Sequence, residues 1–220
     1  MRRWSVQPPR PPARPQPGAA VRLPGYSYDP RTHAYRNLST GRLVARQAIT
    51  DLLRDVADGA GNRLAALGRS AVRGDLTPSQ FYELMQQEVK YAYNACAALA
   101  AGGWDRLTAR EWGGNGIRLR AQYAYLRDFA QEIAAGKLTE AQAAARASTY
   151  GDSAYSRYWE LDRQKQEAAG VTMARWQTMA DDRVCPSCLE LERKGFQPIA
   201  SLPNPGTIHP GCRCDLVYEK

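Results

Sequence analysis

The chain has 220 residues, of which 44% are hydrophobic and 24% charged, and its net charge is +8. This length fits one large domain or two small ones, with enough apolar residues for a core. No apolar run reaches the roughly 18 residues of a membrane-spanning helix, so no membrane partner is expected, and no apolar segment of a secretory signal follows the N-terminus. Four of the five cysteines lie in the last 36 residues. This is not the cysteine framework of a small secreted protein, and a reducing, intracellular origin is expected.

The excess positive charge lies at the start of the chain. Residues 1–46 hold nine arginines and one acidic residue, and residues 8–24 hold seven of the 14 prolines. Proline favours polyproline II over helix or sheet, so residues 1–25 are predicted to form an extended basic arm. Such an arm follows a nucleic-acid backbone or lies along another protein, although a solvated tail is the alternative. The candidate contact residues are Arg2, Arg3, Arg10, Arg14 and Arg22.

The rest of the chain up to residue 170 is predicted to be mainly helical. Residues 26–44 combine aromatic and β-branched side chains with a turn sequence, which indicates a hairpin or an ordered loop. Residues 45–170 carry a helical periodicity, beginning with a helix that is weakly broken at Gly59–Gly61. Further helices are predicted at about 78–101, 117–135 and 140–168, with glycine breaks at Gly102–Gly103 and Gly113–Gly114. Capping boxes are predicted at Thr77, Thr108 and Thr139.

Aromatic side chains are frequent in this helical region. We expect them to pack in the core or in contacts between subunits, and the alternative is stacking on nucleic-acid bases. They are Tyr91, Tyr93, Trp104, Trp112, Tyr125, Tyr150, Tyr155, Tyr158 and Trp159.

Residues 171–220 lose the helical period and contain the chemistry-bearing motif of the chain. Cys185 and Cys188 form a C-x-x-C, and His209, Cys212 and Cys214 follow after a gap of 20 residues. Two turn-bound ligand pairs at such a separation are typical of a structural zinc site. Four of these five residues are predicted to bind the ion, with four cysteines preferred and His209 as the alternative fourth ligand or a supporting group. The residues between the pairs are predicted to form a β-ribbon over Phe196 and Ile199.

Other interpretations of the cysteines remain open, and an enzyme is not expected. The cysteines could instead form two disulfides or a metal-free cluster, whereas a redox pair lacks the usual βαβ context. The chain has two histidines and no phosphate-binding loop, nucleophile elbow or H-E-x-x-H motif. Asp181 and Asp182 could be a carboxylate pair, but acids at such a position are more typical of caps. A soluble zinc-ribbon protein that binds nucleic acid is the alternative function, and a nuclease or processing enzyme is a third.

The C-terminal segment resembles the phage head morphogenesis family, the minor head proteins similar to the F protein of phage Mu. The matching residues are Trp176, Thr178, Asp182, Arg183, Val184, Cys185, Cys188, His209, Pro210, Cys212, Arg213, Cys214, Leu216 and Val217. The resemblance implies a structural protein of the virion head or neck that acts in head assembly or DNA delivery. It also implies portal, capsid or neck proteins as partners, packaged DNA as a further one, and several copies in a symmetric assembly. During assembly such a protein lies in the host cytoplasm.

Overall fold

The computed structural model describes residues 26–219, so the five predicted contact arginines of the arm lie outside the described residues. The helices are α1 (Arg46–Val72), α2 (Pro78–Ala101), α3 (Ala109–Ala134), α4 (Glu140–Ala168) and α5 (Pro186–Arg193). The strands are β1 (Tyr26–Asp29), β2 (Ala34–Asn37), β3 (Met173–Gln177), β4 (Phe196–Pro198) and β5 (Asp215–Tyr218). The predicted fold class, mainly helical with a small β module, is confirmed.

Helix α2 is the centre of the helical body, because α1, α3 and α4 all pack against it. Its second half, residues 92–101, is buried throughout and consists largely of alanine, which lets the neighbouring helices approach closely. Near its start, the Phe81 ring meets the Phe129 ring edge-on, with centroids 5.3 Å apart.

All three predicted capping boxes are present. At each helix start the threonine hydroxyl accepts a hydrogen bond from the third backbone N–H of the helix, and the side chain at that position accepts one from the threonine N–H. Each box stabilises its helix by about 1 kcal/mol. The pairs are Thr77 with Gln80, Thr108 with Glu111, and Thr139 with Gln142.

Both predicted glycine breaks inside helices are wrong. Helix α1 continues through Gly59–Gly61, and α3 begins at Ala109 and continues through Gly113–Gly114. In α1 the reason is tertiary: α4 crosses so closely that a Cβ on its Gly151 would lie 2.7 Å from the Ala57 carbonyl oxygen. The backbone of Gly61 lies beside the same contact. Glycine is required there for close approach of two helices, not for a turn.

In α3 a buried polar chain follows the glycines. Arg157 of α4 donates to the Asn115 side-chain oxygen at 2.6 Å, and Asn115 donates to Asn94 of α2 at 3.0 Å. A Cβ on Gly114 would lie 3.1 Å from the Arg157 Nη2 atom. The capping box at Thr108 fixes the start of α3, and these hydrogen bonds hold its glycine-rich first turns in place.

The hairpin of β1 and β2 closes the C-terminal end of α2. The strands are antiparallel with Tyr28 opposite Tyr35, and the Tyr35 hydroxyl donates to the Leu99 carbonyl oxygen at 2.8 Å. The Tyr28 ring lies against Gly102, where a Cβ would be 2.1 Å from the ring. Gly102 also has φ +86°, so both its space and its backbone conformation require glycine.

The C-terminal region is an antiparallel sheet in the order β4–β3–β5, with α5 inserted after β3. The expectation that the helical period is lost throughout this region is wrong for α5. Nor do the residues between the cysteine pairs form a ribbon of their own, because β4 pairs with β3. Ile199 is buried as expected, but Phe196 is 42% exposed, with the Arg175 guanidinium 5.7 Å from the centre of its ring. Among the described helices, none has the length and apolar character needed to cross a lipid bilayer.

The close contact between α1 and α4 predicts that Gly151→Ala lowers the free energy of unfolding by about 1–3 kcal/mol, because the added methyl group forces the helices apart. Urea denaturation measures this change. The matched control is Gly113→Ala in α3, where a Cβ meets no atom within 4 Å. The control should stabilise the protein by up to about 1 kcal/mol, since alanine favours helix. Equal stabilities of the two variants would contradict this account.

Candidate metal centre

The first pair of thiols lies at the start of α5. Cys185 is the N-cap residue, and its sulfur accepts a hydrogen bond from the Cys188 backbone N–H at 3.3 Å. Desolvation acts to raise the pKa of Cys185, but the hydrogen bonds from Cys188 and Ser187 and the charge of His209 together outweigh it, and the pKa is lowered. The positive end of the helix dipole also favours a thiolate here. The N-terminal turn of α5 therefore prepares Cys185 to act as an anionic ligand.

The second set of donors lies in the loop before β5. His209 Nδ1 is 2.8 Å from the Pro210 carbonyl oxygen, so Nδ1 carries the proton and donates it there. The other ring nitrogen, Nε2, faces the thiols and lies 3.6 Å from Cys188 Sγ. Cys212 Sγ is 4.0 Å from the same sulfur. Cys188 is therefore the donor at which the two halves of the motif meet.

All five predicted donors lie together in two overlapping groups. Cys185, Cys188 and His209 form one, and Cys188, Cys212 and Cys214 form the other, with ligand atoms of each group within 4.8 Å of one another. Four of the donors also line a small cavity of about 10 Å³. All five cysteines of the chain, including the buried Cys96, are free thiols. This arrangement is compatible with a metal site.

Cys212 and Cys214 interact with each other, and the interaction shifts the pKa values of the two thiols in opposite directions. A hydrogen bond with Cys214 lowers the pKa of the Cys212 thiol, and the same bond raises the pKa of Cys214. Of these two thiols, Cys212 is therefore the one that ionises first. Because a metal binds thiolates and not thiols, Cys212 is the readier ligand of the two.

Three residues of the helical body hold the donor loop, a role that the sequence did not indicate for any of them. The Asp152 carboxylate of α4 accepts from the Gly211 backbone N–H at 2.9 Å. The Tyr155 hydroxyl donates to the Cys214 carbonyl oxygen at 2.9 Å, and Arg54 of α1 donates to the Arg213 carbonyl oxygen at 3.3 Å. These side chains lie on helix faces far from the motif in the sequence, so no local pattern could have indicated their role.

Thr178 and Arg213 belong to the motif but are not candidate metal ligands, and their hydrogen bonds connect its segments. Thr178 after β3 donates from its backbone N–H and its hydroxyl to the Glu192 carboxylate, at 2.9 and 2.7 Å. Arg213 donates to Asp181 at 2.8 Å, and this hydrogen bond lowers the pKa of the Asp181 carboxyl. Asp181 thus joins the two donor loops through an ion pair, while Asp182 is exposed.

No protein-family model, curated protein or solved structure matches this chain.

We expect Tyr155→Phe to destabilise the protein. The Tyr155 hydroxyl donates to the buried Cys214 carbonyl oxygen and, at 3.0 Å, to the Asp215 carboxylate, and the substitution removes this donor. We expect the free energy of unfolding to fall by about 1–3 kcal/mol in urea denaturation. Tyr125→Phe is the control, since Tyr125 is 63% exposed. Its effect should stay within about 0.5 kcal/mol. A Tyr155→Phe variant as stable as the control would show that this hydrogen bond does not hold the loop.

Proposed function

We propose that the chain is a structural protein of the head or neck of a tailed phage, with a C-terminal module held together by one zinc ion. The observation that carries the proposal is the convergence of the resembling motif: its five donor side chains, separated in sequence, lie in one cluster against the helical body. Partners in this role are portal, capsid or neck proteins, with packaged DNA as a further candidate for the arm. No catalytic step is proposed.

The distances between the donors support zinc. In a tetrahedral zinc site, two sulfurs lie about 3.8 Å apart, and a sulfur and an imidazole nitrogen about 3.5 Å apart. The observed separations from Cys188 Sγ are 4.0 Å to Cys212 Sγ and 3.6 Å to His209 Nε2. Thiolate and imidazole donors also suit zinc better than magnesium or calcium. The position of His209 Nε2, 3.6 Å from Cys188 Sγ, favours this residue over Cys214 as the fourth ligand.

The zinc would supply stability that the small module lacks. Its sheet has three short strands, and α5 has eight residues. Elements of this size bury little apolar surface by themselves, and a structural metal ion supplies folding free energy directly. The ion would join α5 to the loop before β5, so that the module presents one fixed surface to a neighbouring subunit.

The proposed site predicts one zinc ion per chain by elemental analysis of the purified protein. Cys188→Ser should abolish binding, because Cys188 belongs to both groups of donors. His209→Ala should weaken zinc binding at least about tenfold, whereas Cys214→Ser should weaken it less. Competition with a chromogenic chelator measures these affinities. Cys96→Ala is the matched control outside the cluster and should keep full occupancy. A wild-type chain without zinc would contradict the metal proposal and leave the virion role open.

The virion role predicts that the protein is present in purified phage particles at a few to a few dozen copies, as measured by quantitative mass spectrometry. A chain that is absent from particles would contradict the role. The alternative, a nucleic-acid-binding regulator, instead predicts that the isolated chain binds duplex DNA with an affinity that falls steeply with salt. If portal is the partner, purified portal protein should bind the purified chain without other phage proteins. Absence of binding would exclude portal as the partner.

A further inference from the structure

Helix α3 has a face that the rest of the described chain leaves uncovered. The residues that it buries against the body are Asn115, Leu119, Leu126, Phe129 and Ala130. With 3.6 residues per turn, the outward side of the helix carries a continuous apolar surface, in which exposed residues follow one another at spacings of three or four positions. These residues are Ile117, Ala121, Ala124 and Tyr125. Ile117 is 70% exposed, more than any other large apolar side chain in residues 26–219.

The charged side chains of α3 fall into two groups. Three of the seven form ion pairs with α4, and these are Glu111 with Lys165, Arg118 with Glu160, and Glu132 with Arg146. The other four are exposed and form no ion pair with any residue that the structure describes. They are Arg110, Arg120, Arg127 and Asp128. The outward face of α3 therefore combines an apolar centre with charges that no described residue neutralises.

Two of these charges are arranged for pairing with a second copy of the helix. Arg110 and Asp128 are 18 residues apart, which is five full turns, so they lie on one line along α3, about 27 Å from each other. The apolar residues lie between them. When a second α3 lies antiparallel across this line, Arg110 meets Asp128 of the partner subunit at one end, and Asp128 meets the partner's Arg110 at the other. A two-fold interface requires such a self-complementary pattern, in which each contact occurs twice.

The other exposed charges near this face do not oppose the pairing. Arg120 and Arg127 lie about 80–100° around the helix from that line, so they are at the edge of the contact, where salt and water screen them. Arg106, in the turn before α3, and its neighbour Asp105 are both exposed. Their charges cancel, so Arg110 leaves this end of the face positive.

We propose that two copies of this chain associate through antiparallel α3 helices, about a two-fold axis at the level of Leu119. Ile117 then packs beside Ala121 of the partner subunit, and the small side chains of Ala121 and Ala124 let the two helices approach closely. Five turns of one helix face bury on the order of 1,000 Å² in total, near the lower limit of specific interfaces, so we expect a weak dimer with a roughly micromolar Kd. The association depends neither on the proposed virion role nor on zinc.

Sedimentation velocity of the full chain at about 1–200 μM tests this pairing. Arg110→Asp and Asp128→Arg should each raise the dimer Kd at least about tenfold, because each change places like charges opposite one another at both ends of the contact. Both changes suit the helix dipole, since Arg110 lies in the first turn of α3 and Asp128 near its C-terminal end. An equimolar mixture of the two variants should recover the wild-type Kd, because every end contact in the mixed dimer again joins opposite charges.

Asp55→Arg is the matched control, because Asp55 of α1 is also exposed, forms no ion pair among the described residues and lies on another helix. Its dimer Kd should stay within about twofold of the wild-type value. Ile117→Asp should abolish dimerisation, since it places a charge in the apolar centre of the contact. Thermal unfolding of each variant separates loss of pairing from loss of folding.

A wild-type chain that is monomeric over the whole concentration range would overturn the proposal. So would a mixture of the two charge variants that associates no more tightly than either variant alone. A monomeric chain that is nevertheless present in phage particles would overturn the dimer, leave the virion role in place and assign this face of α3 to another protein.

Discussion

The buried contact among Arg54, Tyr155 and Asp215 connects the helical body to the C-terminal module. Arg54 donates to both carboxylate oxygens of Asp215, at 2.7 and 2.8 Å, and Tyr155 donates to the same carboxylate. Burial raises the pKa of the Asp215 carboxyl, and the Arg54 guanidinium opposes this shift. Burying a carboxylate without such partners costs free energy. Asp215, the first residue of β5, is therefore held where Arg54 and Tyr155 reach its carboxylate. That position also fixes Cys214, the residue before it.

A second contact sets the other end of β5. The Arg46 guanidinium lies 5.1 Å from the Trp159 ring centre and 4.8 Å from that of Tyr218, and it donates to Asp162 at 2.6 Å. Helices α1 and α4 thus bind the strand at both ends. Their own close contact at Gly151 is a condition for this, since separating the helices would move Arg54 away from Tyr155. The donor cluster depends on helix packing some distance from it.

The proposed function assigns different roles to the two ends of the chain. At the C-terminal end, a metal ion would join segments too short to fold on their own hydrophobic surface. At the N-terminal end, residues 1–25 contain five arginines and no acidic residue, and the proposed partner is packaged DNA or a neighbouring subunit.

Local sequence determined the features that depend on neighbouring residues. The threonine capping boxes act over three positions, so their sequence was sufficient to predict three helix starts, and the spacing of Cys185 and Cys188 was sufficient to predict a shared turn. The tertiary structure alone decided the rest. Gly61 and Gly114 suggested breaks because glycine weakens isolated helices, but contacts with α4 keep both helices continuous. Asp152 and Tyr155 could not be found from the sequence, since their role exists only where α4 meets the donor loop. The physical reason is that hydrogen bonds between distant segments form only after the chain has packed.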